Sequence, residues 1–174
     1  MEKFATNSLP ERKLLRLRDF DYSAAGVYFI TICTKDRKNI LSRIISEEIG
    51  SLGVSQRVDL LPCGRIAEKY VKQLEKFYTD IEVDRYVIMP DHVHLLLRVL
   101  APESGPSGTP APTTTTKQYS TVARFVSTFK RFFNKEYGEN VWQRRFYDHV
   151  IRNQKDYEEH LQYIEGNPYR WKPS

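Results

Sequence analysis

Apolar and polar positions along the chain fall into two rhythms. Residues 27–34, VYFITICT, are β-branched and aromatic, the composition of a buried strand. Residues 35–39 are a polar turn. Residues 40–62 fit either a short hairpin or a strand followed by a loop. From 64 to 77 the apolar residues fall at 66, 67, 70, 71, 74 and 77, the spacing of one helix face. Gly64 is the expected start of that helix and residues 78–80 its stop. Residues 81–89 and 92–100 read as strands, and the Pro90-Asp91 turn makes them a hairpin. Apolar positions 119, 122, 125, 126, 129, 132 and 133 predict an amphipathic helix over 117–137, closed by Gly138. Residues 141–151 read as a loop with a short strand. A last helix is expected over 154–165, stopped by Gly166 and Pro168.

The order strand, helix, strand, strand, helix, strand, helix predicts an α+β fold. Its first six elements match the ferredoxin-like plan, an antiparallel sheet with helices on one face. The last helix is an addition to that plan. One domain over 1–174 is expected, because 174 residues suit a single core. Two stretches stand outside the rhythm. Residues 1–26 are a polar, basic arm, and 101–116, APESGPSGTPAPTTTT, are a flexible Pro/Thr-rich loop.

Charge adds a partner class. Apolar residues are 40% and charged residues 28%, which excludes global disorder. The net charge is +5 and the pI about 9.1, which favours a polyanionic partner. The excess is uneven. Residues 1–43 hold 9 basic and 5 acidic side chains, 44–116 hold 7 and 10, and 117–174 hold 11 and 7. A basic surface therefore needs both ends of the chain. Two cysteines suit a reducing compartment and cannot build a disulfide framework. No apolar run reaches membrane-spanning length and no signal region opens the chain. The expectation is a soluble, cytoplasmic protein.

The chemistry concentrates in three places. His92-Val93-His94 begins a strand, so both imidazoles leave one face while Val93 and Leu95 point to the other. Such a pair can converge on one divalent ion in an open site, although strand histidines are more often half-buried polar residues. On the last helix, Tyr163 and Asn167 are four residues apart and share a face. Tyr157, Leu161 and Ile164 form the apolar stripe, and Tyr163 lies about 100° off it. On spacing alone Tyr163 reads first as an ordinary surface tyrosine. Third, Trp142, Arg144, Arg145, Phe146, Tyr147 and His149 interleave rings with cations. That set fits either stacking on unpaired bases or a loop with one buried Trp and a solvated Arg pair. His149 and His160 read as separate structural histidines. Gly-rich phosphate loops and the nucleophile elbow are absent, which disfavours nucleotide cradling and serine hydrolysis.

Three segments in order, YFITICTKDR at 28–37, VIMPDHVHLLL at 87–97 and VWQRRFYDHVIRNQKDYEEHLQYIEGNPYRW at 141–171, resemble the single-tyrosine HUH transposases. The resemblance is closest to the REP-associated tyrosine transposases and spans roughly Arg12 to Trp171. It implies that His92 and His94 bind a divalent metal, Mg²⁺ or Mn²⁺, with Asn167 as third ligand. It implies Tyr163 as the nucleophile, in the pattern Tyr163-Ile164-Glu165-Gly166-Asn167-Pro168. The implied reaction is cleavage and rejoining of single-stranded DNA next to a hairpin, through a 5′-phosphotyrosine. Arg124, Lys130, Arg131, Trp142, Arg144, Arg145 and Arg152 are the expected DNA contacts. A monomer with its site in cis is preferred to a homodimer, in a prokaryotic, nucleoid-associated setting. Three other readings compete: a non-catalytic nucleic-acid-binding module on the same sheet, a metal hydrolase that activates water and tolerates loss of Tyr163, and a domesticated, inactive relative, against which the intact His92, His94 and Tyr163 count.

Overall fold

The computed structural model describes residues 25–48, 53–101 and 120–172. The expected arm over 1–26 lies outside them except for its last two residues, and the Pro/Thr-rich stretch 101–116 except for Ala101. Strand β1 spans Gly26–Cys33 and leads into a single 3₁₀ turn, Lys35–Arg37. A hairpin of β2 (Ser42–Glu48) and β3 (Val54–Leu60) follows. Helix α1 (Pro62–Phe77), β4 (Ile81–Ile88) and β5 (His92–Val99) come next. Helix α2 (Thr121–Tyr137), β6 (Tyr147–Ile151) and α3 (Gln154–Arg170) complete the described chain.

The main sheet runs β4-β5-β1-β6, and every neighbouring pair is antiparallel. With β2 and β3 set aside as an inserted two-stranded ribbon, this is the ferredoxin-like order. The stretch 40–62 is thus the hairpin of its two expected forms.

Strand alternation sorts the two faces. Val93, Leu95, Leu97 and Val99 of β5 and Tyr28, Ile30 and Ile32 of β1 point one way, where α1 and α2 cover them. Ala67, Val71 and Leu74 of α1 pack there with Phe125, Phe129 and Phe133 of α2. The opposite face carries Phe29 and Leu96, and α3 lies over it through Ile164, Tyr157 and Leu161. Each large apolar side chain fully buried contributes about 1.5–3 kcal/mol. The cluster under α3 is much the smaller of the two, so α3 is the less firmly docked helix.

Two helix ends differ from the periodicity. Helix α1 begins at Pro62, which suits the first turn because its missing N–H has no helical partner there. Gly64 serves contact instead: a Cβ on it would stand 2.0 Å from the Leu41 carbonyl oxygen. Among the described residues helix α2 begins at Thr121, where the Ser120 side chain accepts from the Ala123 N–H, and the expected residues 117–119 lie outside them. Helix α3 continues through Gly166 and Pro168 to Arg170. Pro168 removes one backbone bond near the helix end, while Ile164, Asn167 and Pro168 are buried and hold that turn by packing.

Candidate active site beneath helix α3

The strand register sets out the site in rows. Tyr147 of β6, Thr31 of β1 and His94 of β5 are cross-strand neighbours. His149, Phe29 and Leu96 form the adjacent row. His92 lies opposite Cys33 at the strand ends. All these side chains face α3. Phe29, Thr31, His92, His94 and Tyr147 open onto a cleft of about 530 Å³ that Tyr163, His160 and Glu159 close from the helix side and Arg37 from the 3₁₀ turn.

His92 and His94 converge more closely than a flat strand implies, with ring centroids 4.4 Å apart. Each is held by one nitrogen. His92 Nδ1 lies 2.5 Å from Asp91 Oδ1. His94 Nδ1 lies 2.8 Å from Thr31 Oγ1. Asp91 is almost fully buried, and its other oxygen receives Arg37 Nε at 2.6 Å. Arg37 also donates through Nη1 to Cys33 Sγ at 2.8 Å. The hairpin tip is pinned as well: Thr34 N–H donates to the Asp91 carbonyl, and Leu41 N–H to that of Pro90. Arg37 and Asp36 take φ of 54°, so the turn that delivers the guanidinium is left-handed for two non-glycine residues.

These contacts leave the ring nitrogens suited to a cation. With its Nδ1 proton donated to Asp91, His92 keeps a lone pair on Nε2. His94 Nε2 is buried without a hydrogen-bond partner, an exception that native structures rarely leave unexplained. Burial, then the neighbouring His92 ring, Arg37 and His160, push the His94 imidazole down to about 2, so it stays neutral. Neutral imidazoles backed by a carboxylate and a hydroxyl are the donor set of a divalent-metal site. The residues present therefore fit such an ion.

Tyr163 enters from α3. Its ring stands edge-on to His94, with centroids 5.3 Å apart, and edge-on to Phe29 at 5.9 Å. It is 39% exposed, so the hydroxyl end reaches solvent while the ring is held. The Arg170 guanidinium lies 5.7 Å from its centroid. Trp171 reaches the His92 ring at 6.2 Å. Asn167, buried, sits one helical turn from both Tyr163 and Trp171, which places it on the face of α3 that runs from His94 to His92.

The expected DNA contacts divide. Trp142 does not present its ring: it is 1% exposed and packs on Phe129 and Phe133 in the core. A backbone bridge to Thr34 turns it inward, and the reading of a loop with one buried Trp holds for it. Lys130 is a loop latch, its ammonium donating to the carbonyls of Gln143 and Arg145 at 2.8 and 3.1 Å. Burial pushes that amine down to about 8. Arg124 pairs with Asp80 at 2.7 Å, and Arg131 lies over the Phe132 ring. Both stand on α2, across the sheet from the histidines. Arg144, Arg145 and Arg152 are exposed near the ends of β6.

Periodicity misses several members of the site. Arg37, Thr31 and Glu159 line the cleft and Asp91 backs His92, and only long-range contacts bring them there, while Tyr147, one of the rings set among the arginines, lines it too. His149 and His160 are not separate: with Asp156 they are the one His/Cys/Asp/Glu trio among the described residues whose donor atoms lie within 4.8 Å of one another.

Known proteins resemble the chain over most of its length. The family profile described as Transposase IS200 like matches residues 24–167. A Haemophilus influenzae protein of uncharacterized function is 28% identical over 170 residues, covering 92% of this chain and 89% of its own. A REP-associated tyrosine transposase of Escherichia coli is 29% identical over 150 residues, covering 86% of this chain and 70% of its own. Among solved structures, a REP-associated tyrosine transposase bound to a REP hairpin matches with a TM-score of 0.56 at 22% identity. That match covers 89% of this chain and 73% of the other, and it shows the shared fold.

Proposed function

The chain belongs to the IS200-like transposase family, and on that premise we propose that it cuts and rejoins single-stranded DNA with Tyr163 as the nucleophile. One observation carries the reading: Tyr163 shares a cleft with His94, whose Nε2 is buried without a partner. The phenol oxygen attacks the scissile phosphorus. A phosphorus–oxygen bond to Tyr163 forms as the bond to the 3′ oxygen breaks. The phenol proton leaves to solvent and the 3′ oxygen takes one up. The product is a 5′-phosphotyrosine and a free 3′ hydroxyl. One phosphodiester replaces another, so a second strand's 3′ hydroxyl reverses the step without a nucleotide triphosphate.

His92, His94 and Asn167 would hold a divalent ion, Mg²⁺ or Mn²⁺, which when bound would offset the charge growing on the phosphate oxygens. Asp91 keeps the His92 proton on Nδ1. Arg37, half-exposed at the cleft, faces the same phosphate with a charge of fixed sign. Tyr147, 48% exposed, offers a ring on which an unpaired base stacks. Arg144, Arg145 and Arg152 draw in the strand's backbone. We take the substrate to be a single strand beside a hairpin, in keeping with the hairpin held by the structural neighbour. Tyr163 and His94 of one chain already meet, which supports a monomer acting in cis.

The test is a denaturing gel of labelled hairpin-bearing single strands incubated with Mn²⁺ and either wild type or Tyr163→Phe. A protease-sensitive shifted band in wild type alone supports the reading. Cleavage without a shifted band, retained in Tyr163→Phe, supports a hydrolase. Salt-dependent binding with neither supports a binding module.

A further inference from the structure

We propose that His149, Asp156 and His160 form a second metal site, distinct from His92 and His94, which takes a first-row transition ion of the Zn²⁺ type and clamps β6 to α3. His149 comes from β6, while Asp156 and His160 are a helical i,i+4 pair. His149 Nε2 lies 3.1 Å from both Asp156 oxygens, and His160 Nδ1 lies 3.1 Å from Asp156 Oδ1. A tetrahedral ion with bonds of about 2.0–2.1 Å separates its donors by roughly 3.3 Å. The carboxylate therefore stands near coordination spacing from each imidazole, and the three donors lie within 4.8 Å of one another. The imidazole rings are stacked, 4.7 Å apart and 14° from parallel, with both nitrogens turned to the same carboxylate.

The chemistry of the donors selects the ion. Two imidazoles and one carboxylate suit Zn²⁺ and its first-row neighbours better than Ca²⁺ or Mg²⁺, which prefer oxygen. Three protein ligands leave a position for water. The side chains of His149, Asp156 and His160 are 32%, 18% and 23% exposed, so a hydrated ion reaches them. Without metal the rings share Asp156, and His160 Nδ1 also donates to the Asp156 carbonyl at 2.8 Å. On coordination each ring moves its proton to its other nitrogen, and the Asp156 backbone bond is given up.

The two sites are neighbours with no donor in common. The Phe29 ring separates them, 5.0 Å from His94 and 4.7 Å from His160. The second site has a mechanical role because α3 is thinly docked. His160 precedes Tyr163 by three residues on one helix, so joining His160 to β6 fixes where Tyr163 stands.

The test uses His92→Ala/His94→Ala protein, which lacks the first donor pair, titrated with Co²⁺ and then Zn²⁺. The expected result is ligand-field absorption from one Co²⁺ per chain, bleached by Zn²⁺, and an unfolding temperature that rises with Zn²⁺. Adding His149→Gln or, separately, His160→Gln weakens binding at least about tenfold. Circular dichroism of each metal-free variant establishes which are folded. Absence of Co²⁺ absorption in the double variant overturns the proposal. So does unchanged affinity in either folded glutamine variant.

Discussion

The ring of Tyr163 stands edge-on to that of His94, 5.3 Å away, across the seam between α3 and the sheet. The two residues come from elements that otherwise share little apolar contact. Their meeting makes a site from a strand that is rigid and a helix that is lightly held. The strand side has its donors fixed by Thr31 and Asp91, and the helix side presents a half-exposed phenol.

Asp91 is predicted to act through His92. Asp91→Asn removes the charge that fixes the His92 proton and frees Arg37 from its ion pair. The Mn²⁺ concentration needed for half-maximal DNA cleavage is expected to rise about 10- to 100-fold. Metal titrations of wild type and variant measure this. A change in maximal rate at unchanged metal dependence would contradict it.

His94 makes a pH prediction. Its imidazole sits at about 2 in the folded chain against 6.5 ordinarily. The unfolded chain therefore binds a proton below pH 6.5 that the folded chain refuses, and stability falls as pH drops from 6.5 toward 2. At pH 5 the bias against folding is about 2 kcal/mol, since each pH unit adds about 1.4 kcal/mol. Urea midpoints at pH 7 and pH 5 are expected to differ more in wild type than in His94→Gln. Equal differences would show that the His94 imidazole does not set the acid sensitivity.

His92 and His94 are legible in the sequence because strand alternation is local, and a Val and a Leu at 93 and 95 declare which face is core. Tyr163 stands apart from the stripe Tyr157, Leu161, Ile164, but spacing alone leaves it an ordinary surface tyrosine, and only the resemblance in the pattern Tyr163-Ile164-Glu165-Gly166-Asn167-Pro168 singles it out. Arg37 is not legible: it depends on a left-handed turn and on a carboxylate from a distant hairpin. The trio His149, Asp156 and His160 spans a strand, a turn and a helix, and no single period links those positions. Trp142 misleads because rings among arginines look like a stacking surface, whereas the bridge to Thr34 faces it into the core. Pro168 misleads in the same way, since packing of Asn167 and Ile164 carries the helix past it.

Lys130 and the loop arginines are predicted to separate structure from DNA binding. Lys130→Met strips two carbonyls of their donor and is expected to cost about 1–3 kcal/mol in urea unfolding. The salt dependence of single-strand binding should stay as it is. Arg144→Ala or Arg145→Ala should leave stability alone and flatten the slope of log affinity against log salt by about 0.7. The reverse pattern would place the DNA against α2.

Gly64 is predicted to be a packing glycine. In Gly64→Ala the new Cβ would press on the Leu41 carbonyl, which is backbone and cannot swing aside. A loss of more than about 3 kcal/mol is expected. Thermal unfolding of the variant checks it, and wild-type stability would show that the start of α1 yields.

The proposed reaction joins Tyr163 covalently to DNA. The direct measurement is peptide mass mapping of protein incubated with a short hairpin-flanked single strand and Mn²⁺, then digested with nuclease and protease. The expected result is a nucleotide mass on the peptide that contains Tyr163, at that side chain, and none in Tyr163→Phe. A nucleotide on Tyr147, Tyr157 or Tyr169 instead, or cleaved DNA with every tyrosine unmodified, would contradict it.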